Sequence, residues 1–371
     1  MAIFTGNKQF DFQIDRFTSP FLDNPCVRQD RKEIGSFIND FHTWFYWWSN
    51  KAKEYEQNNE FKIAANYYKA AMFYLKKDDP EKQMLYDSFI RNFYKSYDDF
   101  DFERKEVPYE GSYLPTLLLK NPNAQRTLLV LGGFDGYLEE VASFFKYMKN
   151  TDYNILLFDG PGQGNTSSQG LAFIPNFEKP VSKILNYFSL NEVDAIGLSW
   201  GGYLVLRAAA FEKRINKVIT MDIFYSPMDT VRMNLGFLKF TCLSILLRMK
   251  AESLINKVIN KIATKDIDMM WKLNNGYQLT GENNPYDLIN NLKRHNAKSI
   301  LRLINQDCLL LAGKEDQYVP YKRLYTIQKG LTNSKNIQTK LFTKETGGEQ
   351  HCQVGRMDLA FNEIIKFLKA R

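Results

Sequence analysis

Histidine and cysteine are scarce in this chain of 371 residues, and neither forms a metal-binding pattern. There are three histidines, and the four cysteines are far apart: Cys26, Cys242, Cys308 and Cys352. No CxxC pair and no histidine at ligand spacing occur, so the sequence predicts neither a zinc site nor a disulfide framework. We expect a reduced, cytoplasmic setting and a reaction that needs no metal or other cofactor.

Blocks of like charge and long apolar runs are also absent. The net charge is +7, from 49 Lys and Arg against 42 Asp and Glu, but the signs are interspersed, so nucleic acid is not expected as a partner. The most apolar stretch, residues 237–247, contains Lys239 and is shorter than the ~20 residues of a spanning helix. The N-terminus lacks the pattern of a signal peptide. We therefore expect no membrane partner either.

Helical periodicity dominates the first hundred residues. Residues 1–30 contain Pro20 and Pro25 and show no clear period, which predicts an irregular arm. From about residue 31, apolar residues recur every three or four positions. The first of these stripes comprises Ile34, Phe37, Ile38, Phe41, Phe45 and Trp48. We predict a helical N-terminal cap region over residues 1–102.

After residue 102, short apolar strands alternate with helical segments. A predicted hairpin over residues 106–119 precedes strands at residues 127–131, 153–158, 193–198, 217–221, 308–311 and 338–342. Continuous apolar strands separated by helices are typical of an α/β fold with a mostly parallel sheet covered by helices on both faces. Residues 227–304 interrupt the alternation and are predicted to form a helical lid insertion. The predicted core therefore has two parts, residues 103–226 and 305–371.

A candidate nucleophile lies in the sequence GLSWG at residues 197–201. Ser199 follows a predicted strand and precedes an alanine-rich helix. Glycines two positions before and two positions after a serine allow a sharp strand-to-helix turn with the hydroxyl exposed at its apex. GxSxG alone is a common pattern, and its position between a strand and a helix makes it specific.

The base that activates a serine is normally a histidine, and this chain offers three. His42 lies in the helical region and His295 in the predicted lid, whereas His351 lies in the loop between the last predicted strand and the final helix. The chain order of serine, acid and histidine in this kind of fold selects His351. The other two histidines are interpreted as structural.

The acid that orients this histidine should follow the preceding strand. Asp316 occupies that position, just after the apolar residues 309–312. Two alternatives stay open at this point. Glu315 is adjacent in sequence, and Asp222 follows the strand at residues 217–221, where some members of such a fold carry the acid.

An oxyanion formed by attack of Ser199 needs two backbone N–H donors. The residue after the nucleophile, Trp200, supplies one. The second is predicted to come from Phe134, in the sequence GGFDG at residues 132–136, because the glycines allow the backbone to approach a substrate carbonyl closely.

With these segments, residues from about 105 onward resemble the α/β-hydrolase superfamily, including the sequence DGPGQG at residues 159–164. The sequences GGFDG and EQHCQ (residues 349–353), together with the helical N-terminal region, resemble one branch. That branch contains dihydroxypseudooxynicotine hydrolase and fungal hydrolases that shorten polyketide pigment precursors. The resemblance implies hydrolysis next to a ketone, or of an ester or amide, in a small aromatic, polyketide-like or acyl metabolite, with the helical regions closing over the site.

Candidate substrate contacts come from two regions. Gly133, Asp135 and Glu140 belong to the sequence that carries the resemblance. Trp44 and Trp48 lie in the aromatic run of residues 41–48, which has more rings than one buried helix face can hold. Some of these rings are expected either to dock the helices or to line a pocket for an aromatic ligand.

Two other functions compete with a metabolite hydrolase. An oligopeptidase of the acylaminoacyl type shares this catalytic fold, but such peptidases usually carry a β-propeller, whereas the N-terminal region here is predicted to be helical. A non-catalytic ligand-binding member of the fold could retain the serine. A homodimer is a candidate assembly for any of the three.

Overall fold

The computed structural model describes residues 3–96, 101–149 and 151–370. The chain divides into two compact units. The helical unit comprises Met1–Asp99 together with Lys261–Asn275, and the α/β unit comprises Phe100–Asn260 together with Gly276–Arg371.

The helical unit is built on five N-terminal helices. They are α1 (Lys8–Thr18), α2 (Pro25–Phe37), α3 (Phe41–Gln57), α4 (Phe61–Met72) and α5 (Pro80–Ser96). The predicted irregular arm over residues 1–30 is wrong, because α1 and the first part of α2 occupy it. Asn7 caps α1 by accepting hydrogen bonds from two backbone N–H groups, and Pro25 opens α2, where the missing N–H costs nothing.

The predicted first stripe also spans two helices rather than one. Helix α2 ends at Phe37, and α3 begins at Phe41 after a capping box in which Asp40 and Thr43 exchange side-chain and backbone hydrogen bonds. Because the apolar positions continue through the turn, a period of three or four residues does not reveal the break.

The α/β unit is centred on a sheet of eight described strands. They are β1 (Asp101–Tyr109), β2 (Ser112–Lys120), β3 (Arg126–Leu131), β4 (Tyr153–Phe158), β5 (Val193–Leu198), β6 (Ile215–Met221), β7 (Asp307–Gly313) and β8 (Ile337–Phe342). Their order across the sheet is β1-β2-β4-β3-β5-β6-β7-β8. The first two pairings are antiparallel and the rest parallel. The predicted mostly parallel sheet with an entry hairpin is therefore confirmed.

Helices follow most of the parallel strands. They are α6 (Leu138–Phe144), α7 (Glu178–Tyr187), α8 (Gly201–Phe211), α13 (Arg323–Gly330) and α14 (Met357–Lys369). The central strand β5 is buried along its whole length, and α8 buries most of its residues behind it. Since parallel strands all end at the same edge of the sheet, the loops after β3, β5, β6 and β7 meet there.

Between β6 and β7 the chain forms α9 (Pro227–Arg248), α10 (Glu252–Ala263), α11 (Ile267–Thr280) and α12 (Pro285–Leu292). Helix α9 is the one helix in the described part that is long and apolar enough to cross a membrane, by length and composition alone. Gly236 within it has non-helical dihedrals, φ 72° and ψ 173°, so α9 is two helical segments joined at a kink.

Candidate active site

Ser199 lies at the apex of the turn between β5 and α8. Its φ of 56° is left-handed, a conformation that L-residues rarely adopt and that is held here by the surrounding backbone. A Cβ on Gly197 would lie 1.9 Å from the carbonyl oxygen of Gly201, and one on Gly201 would lie 2.4 Å from that of Leu131. Both positions therefore require glycine, and the turn leaves the Ser199 hydroxyl partly exposed to solvent.

His351 reaches this serine from the loop between β8 and α14. Its Nε2 lies 2.7 Å from the Ser199 Oγ, although 152 positions separate the two residues in sequence. In the neutral imidazole with a proton on Nδ1, Nε2 accepts the hydroxyl proton. The arrangement is that of a general base beside a nucleophile.

Asp316 follows β7 and accepts a hydrogen bond from His351. The distance from Nδ1 to the Asp316 Oδ2 is 2.6 Å, and the other carboxylate oxygen accepts the backbone N–H groups of Tyr318 and Val319 at 2.7 and 2.9 Å. The neighbouring alternative, Glu315, instead lies 3.6 Å from Lys344 in a solvent-exposed ion pair. Asp316, His351 and Ser199 thus form a continuous chain of hydrogen bonds.

A second buried carboxyl group, Asp222, lies beside this chain at the end of β6. Its Oδ2 is 3.8 Å from the His351 Nδ1, which is too long for a hydrogen bond. It is hydrogen-bonded to Asp316 and accepts the backbone N–H groups of Ile223 and Cys352. Asp222 therefore contacts Asp316 rather than orienting His351 directly.

The pKa values of the two buried carboxyl groups are shifted in opposite directions. Burial raises the pKa of Asp222 well above its ordinary value, and the charge of Asp316 and the hydrogen bond to it raise it further. Burial alone would also raise the pKa of Asp316, but the charge and hydrogen bond of His351, with the hydrogen bonds of Asp222 and the Tyr318 N–H, together lower it. Like charges this close favour one proton shared by the pair. We infer a protonated Asp222 donating to an ionised Asp316.

The same carboxylate acts on the imidazole. Burial, the largest single effect, would lower the pKa of His351, but the charge and hydrogen bond of Asp316 and those of Cys352 together outweigh it, and the pKa lies well above its ordinary value of 6.5. A base with a raised pKa accepts a proton more readily. It is active at pH values at which the imidazole is unprotonated.

The turn after β3 lies directly against the serine. A Cβ on Gly133 would be 3.0 Å from the Ser199 Cβ and 3.3 Å from its Oγ. On the other side, Trp200 immediately precedes the first residue of α8, where backbone N–H groups have no helical partner. Both sequence-predicted donors, Phe134 and Trp200, are therefore in segments that border the Ser199 hydroxyl.

Gln163 fixes the orientation of this turn, a role that the sequence analysis missed. Its buried side-chain amide donates to the carbonyl oxygens of Gly132 and Gly133 at 2.9 and 2.7 Å, and its oxygen accepts the backbone N–H of Gly160 at 3.0 Å. A trans peptide directs its C=O and N–H to opposite sides. Holding the Gly133 carbonyl therefore fixes the direction of the Phe134 N–H.

Aromatic stacking holds the two predicted donor residues together. The rings of Phe134 and Trp200 stack with centroids 5.1 Å apart, and the rings of Phe224 and Trp200 stack at 4.6 Å. The Trp200 indole donates a hydrogen bond of 3.1 Å to the Nδ1 of His295. Burial, and next the charge of Arg294, lowers the pKa of His295 to about 3, so this histidine stays neutral and keeps accepting.

Comparison with known proteins places the chain in a family. The sequence profile described as the alpha/beta hydrolase fold matches residues 126–348, more than half of the chain. The chain belongs to the α/β-hydrolase family. The expected fold class is confirmed by this match and by the sheet.

Among curated relatives of this α/β-hydrolase, fungal hydrolases are prominent. The hydrolase acrC of Aspergillus aculeatus is 27% identical over 294 residues, which cover 70% of this chain and 68% of acrC. The hydrolase LUC6 of a Fusarium species is 25% identical over 342 residues, which cover 82% and 78% of the two chains. The expected resemblance to a branch with fungal hydrolases is confirmed, and the protein is a hydrolase.

Solved structures show the same fold over nearly the whole length. The 2,6-dihydroxy-pseudo-oxynicotine hydrolase matches with a TM-score of 0.68 at 17% identity. The match covers 95% of this chain and 94% of the chain of that hydrolase. A protein named AbyA5 matches with the same TM-score at 15% identity, covering 91% and 89%. At these identities the likeness concerns the fold, including that of the N-terminal region.

The remaining predicted substrate contacts of the α/β-hydrolase lie in different surroundings. Asp135 is half-buried in the turn after β3, next to Phe134. Glu140 is buried in the first turn of α6, where a carboxylate also stabilises the helix N-terminus. A substrate-binding role for Gly133, Asp135 or Glu140 stays a prediction.

Trp44 and Trp48 belong to the core of the helical unit. Trp44 stacks on Phe10 at 5.4 Å and donates a hydrogen bond of 2.7 Å to the carbonyl oxygen of Ala70. Trp48 contacts Tyr67 edge-on at 4.8 Å. These contacts account for both rings within that unit, and a ligand-binding role for them stays a prediction.

One group of side chains among the described residues could hold a metal ion by spacing. The ligand atoms of Asp222, Asp316 and His351 all lie within 4.8 Å of one another. His351 is hydrogen-bonded to Asp316, and the two carboxyl groups are hydrogen-bonded to each other. Their proximity is therefore explained by the hydrogen-bond chain that leads to Ser199.

Proposed function

We propose that this α/β-hydrolase is a serine hydrolase with Ser199 as nucleophile, His351 as general base and acid, and Asp316 as the orienting carboxylate. The observation that carries the proposal is the continuous hydrogen-bond chain from Asp316 through His351 to a serine held in a left-handed turn. An unactivated hydroxyl is a poor nucleophile at neutral pH, and this chain supplies the base that it needs.

In the first step, His351 Nε2 takes the Ser199 hydroxyl proton while Oγ attacks a substrate carbonyl carbon. The N–H groups of Phe134 and Trp200 then stabilise the oxyanion. Asp316 stabilises the imidazolium without itself taking the proton. Collapse of the intermediate breaks the bond to the leaving group, which receives the proton from His351. Water hydrolyses the acyl-enzyme by the same steps in reverse.

Three kinds of bond fit this machinery: an ester, an amide, and a carbon–carbon bond next to a ketone. In the last case Ser199 attacks one carbonyl of a 1,3-diketone, the bond to the carbon between the two carbonyls breaks, and the resulting enolate carbon receives the proton from His351. The named structural relative hydrolyses 2,6-dihydroxy-pseudo-oxynicotine, an aromatic compound. The stacked rings of Phe134, Trp200 and Phe224 beside the nucleophile support a small substrate with an aromatic or other planar acyl part.

A covalent intermediate tests this proposal. Rapid quenching after mixing with a p-nitrophenyl ester should leave the wild-type protein heavier by one acyl group, with the acyl group mapped to the peptide that contains Ser199. Ser199→Ala should show no adduct, whereas Ser168→Ala, a change in an exposed serine, should behave as wild type. An adduct on another residue, or none on the wild type, contradicts the proposed nucleophile.

The bond class needs a separate measurement. Mass spectrometry of the products from matched aryl 1,3-diketones, aryl esters and anilides would show which bond breaks. Turnover of the diketones or esters supports a metabolite hydrolase. Turnover restricted to acylated peptides would favour the peptidase alternative.

A further inference from the structure

Helix α9 is apolar on two opposite faces, and one of them is exposed. The inner face contributes the buried Leu243. The outer face presents Leu238, Ile245 and Met249, which are 77, 49 and 70% exposed. The spacing of seven and four residues places these three side chains on one stripe of the helix. Only 6% of the most apolar 18-residue window of α9 is buried.

Helix α10 continues the pattern after a short turn. Ile255 is buried, whereas Leu254 and Val258, four residues apart and therefore on one face, are 48 and 45% exposed. A contiguous pair of helices with outward apolar stripes is unusual on a protein surface, and such surfaces mark interaction sites.

The charges around these stripes are mainly basic. Five exposed cationic side chains occur in residues 227–260: Arg232, Lys239, Arg248, Lys250 and Lys257. The acidic residues of the same segment are Asp229, which forms an ion pair with Arg323, and Glu252. A partner that fits this surface is both apolar and anionic.

We propose that α9 and α10 form a docking surface for an anionic lipid bilayer, on which the protein binds as a peripheral protein. Apolar side chains flanked by lysine and arginine are the signature of helices that lie in the plane of the membrane interface. A bilayer offers acyl chains to the stripes and acidic headgroups to the cations. The proposal does not depend on the role of Ser199.

The kink at Gly236 argues against a helix that crosses the bilayer. The continuous part of α9 after it, residues 237–248, has twelve residues, or about 18 Å, against the ~30 Å of a hydrocarbon core. From the sequence we expected no membrane partner, because the apolar stretch of residues 237–247 is too short to span a bilayer. A helix lying in the interface has no such requirement.

A second copy of the chain is a poorer occupant of the same surface. A two-fold interface brings the same patch of each copy face to face, so the basic residues around the stripes would oppose one another. Anionic headgroups relieve this repulsion, whereas self-association increases it.

Vesicle flotation with the full chain tests the proposal. We expect binding to vesicles of phosphatidylcholine with phosphatidylglycerol, and at least tenfold weaker partitioning to phosphatidylcholine alone or at 0.5 M salt. The variant Leu238→Gln with Met249→Gln should also partition about tenfold more weakly. Leu303→Gln, a change at another exposed leucine, should bind as wild type.

Folding and catalysis provide the internal checks. Ester hydrolysis without vesicles and circular dichroism should be the same for Leu238→Gln/Met249→Gln and wild type, and Ser199→Ala should bind vesicles as wild type does. Equal binding to both vesicle types, or no loss in the double variant, overturns the proposal. A dimer in sedimentation that the double variant abolishes would overturn it in favour of self-association.

Discussion

Each unit of the molecule buries a carboxyl cluster, and the two clusters are neutralised differently. In the helical unit, Asp30 accepts hydrogen bonds from the hydroxyls of Tyr55 and Tyr67 at 2.6 and 3.1 Å and pairs with Lys51 at 3.0 Å. In the α/β unit, Asp222 and Asp316 bond each other, and the described partner able to carry positive charge is His351.

The cation beside each cluster, a lysine in one and a histidine in the other, distinguishes a structural cluster from a reactive one. Burial lowers the pKa of Lys51, but the hydrogen bond and charge of Asp30, together with the neighbouring glutamates, raise it overall, so the lysine stays charged and the cluster is expected to stabilise the fold. An imidazole gains and loses its charge near neutral pH, so the protonation of the second cluster changes with that of His351. We expect mutations in the two clusters to affect different quantities, namely stability in the first and turnover in the second.

The largest effect is expected at Asp316. Asp316→Asn removes the charge that stabilises the imidazolium and the acceptor that fixes its tautomer, so kcat should fall by ~10³–10⁴. Loss of this negative charge should also lower the pKa of His351, which moves the acid limb of kcat/KM to lower pH. Steady-state kinetics of ester hydrolysis against pH measure both. Glu315→Gln is the control, and a larger loss there would assign the acid to Glu315.

An intermediate effect is expected at Gln163. Gln163→Ala releases the Gly132 and Gly133 carbonyls, so the Phe134 N–H loses its fixed direction, and kcat should fall by about 10- to 100-fold with little change in KM. The affinity for a trifluoromethyl ketone, which forms a tetrahedral adduct, should fall by a similar factor. Gln169→Ala, in the following turn, should change neither. A rise in KM alone would show that Gln163 serves substrate binding instead.

A smaller effect is expected at Asp222. If Asp222 is protonated, Asp222→Asn keeps a neutral donor beside Asp316, and kcat should stay within about threefold of wild type with the acid limb unmoved. Asp222→Leu removes the donor and leaves buried N–H groups unpaired, so kcat should fall further. A shift of the acid limb to lower pH in Asp222→Asn would show that this carboxyl is ionised. A collapse of turnover would make it the orienting acid.

No effect on turnover is expected at Asp30. Asp30→Asn breaks the ion pair with Lys51 and should lower the free energy of unfolding by about 1–3 kcal/mol. The loss is moderate because Lys51 keeps its ion pair with Glu54. Urea denaturation followed by fluorescence measures this change, with Asp87→Asn at an exposed position as the control. A large loss of kcat without loss of stability would contradict the contrast between the clusters.

The sequence predicts the α/β unit more accurately than the helical one. Strands β4 and β5 have their predicted limits, because strands buried on both faces are continuous apolar runs bounded by turns. Helix α1 was missed for a related reason. Phe10, Ile14 and Phe17 lie at helical spacing, but Phe12 and buried polar residues lie between them, so the helical period is obscured in the sequence.

In the site, the predicted serine, acid and histidine lie together because chain order and strand ends determine their positions. The role of Gln163 and the contact of Asp222 with Asp316 could not be predicted from the sequence. Nothing in the sequence says that the side chain of Gln163 turns back toward residues thirty positions earlier. The contact between Asp222 and Asp316 arises because β6 and β7 are neighbours in the sheet, a pairing that periodicity does not specify.

Covalent labelling by a fluorophosphonate probe tests the central claim most directly. The probe reacts with serines that an adjacent base activates, so the wild-type protein should be labelled at one site, with Ser168→Ala labelled equally. Ser199→Ala should not be labelled, and Asp316→Asn should react much more slowly. An unlabelled wild type, or equal labelling of Ser199→Ala, would contradict the assignment of Ser199 as the activated nucleophile.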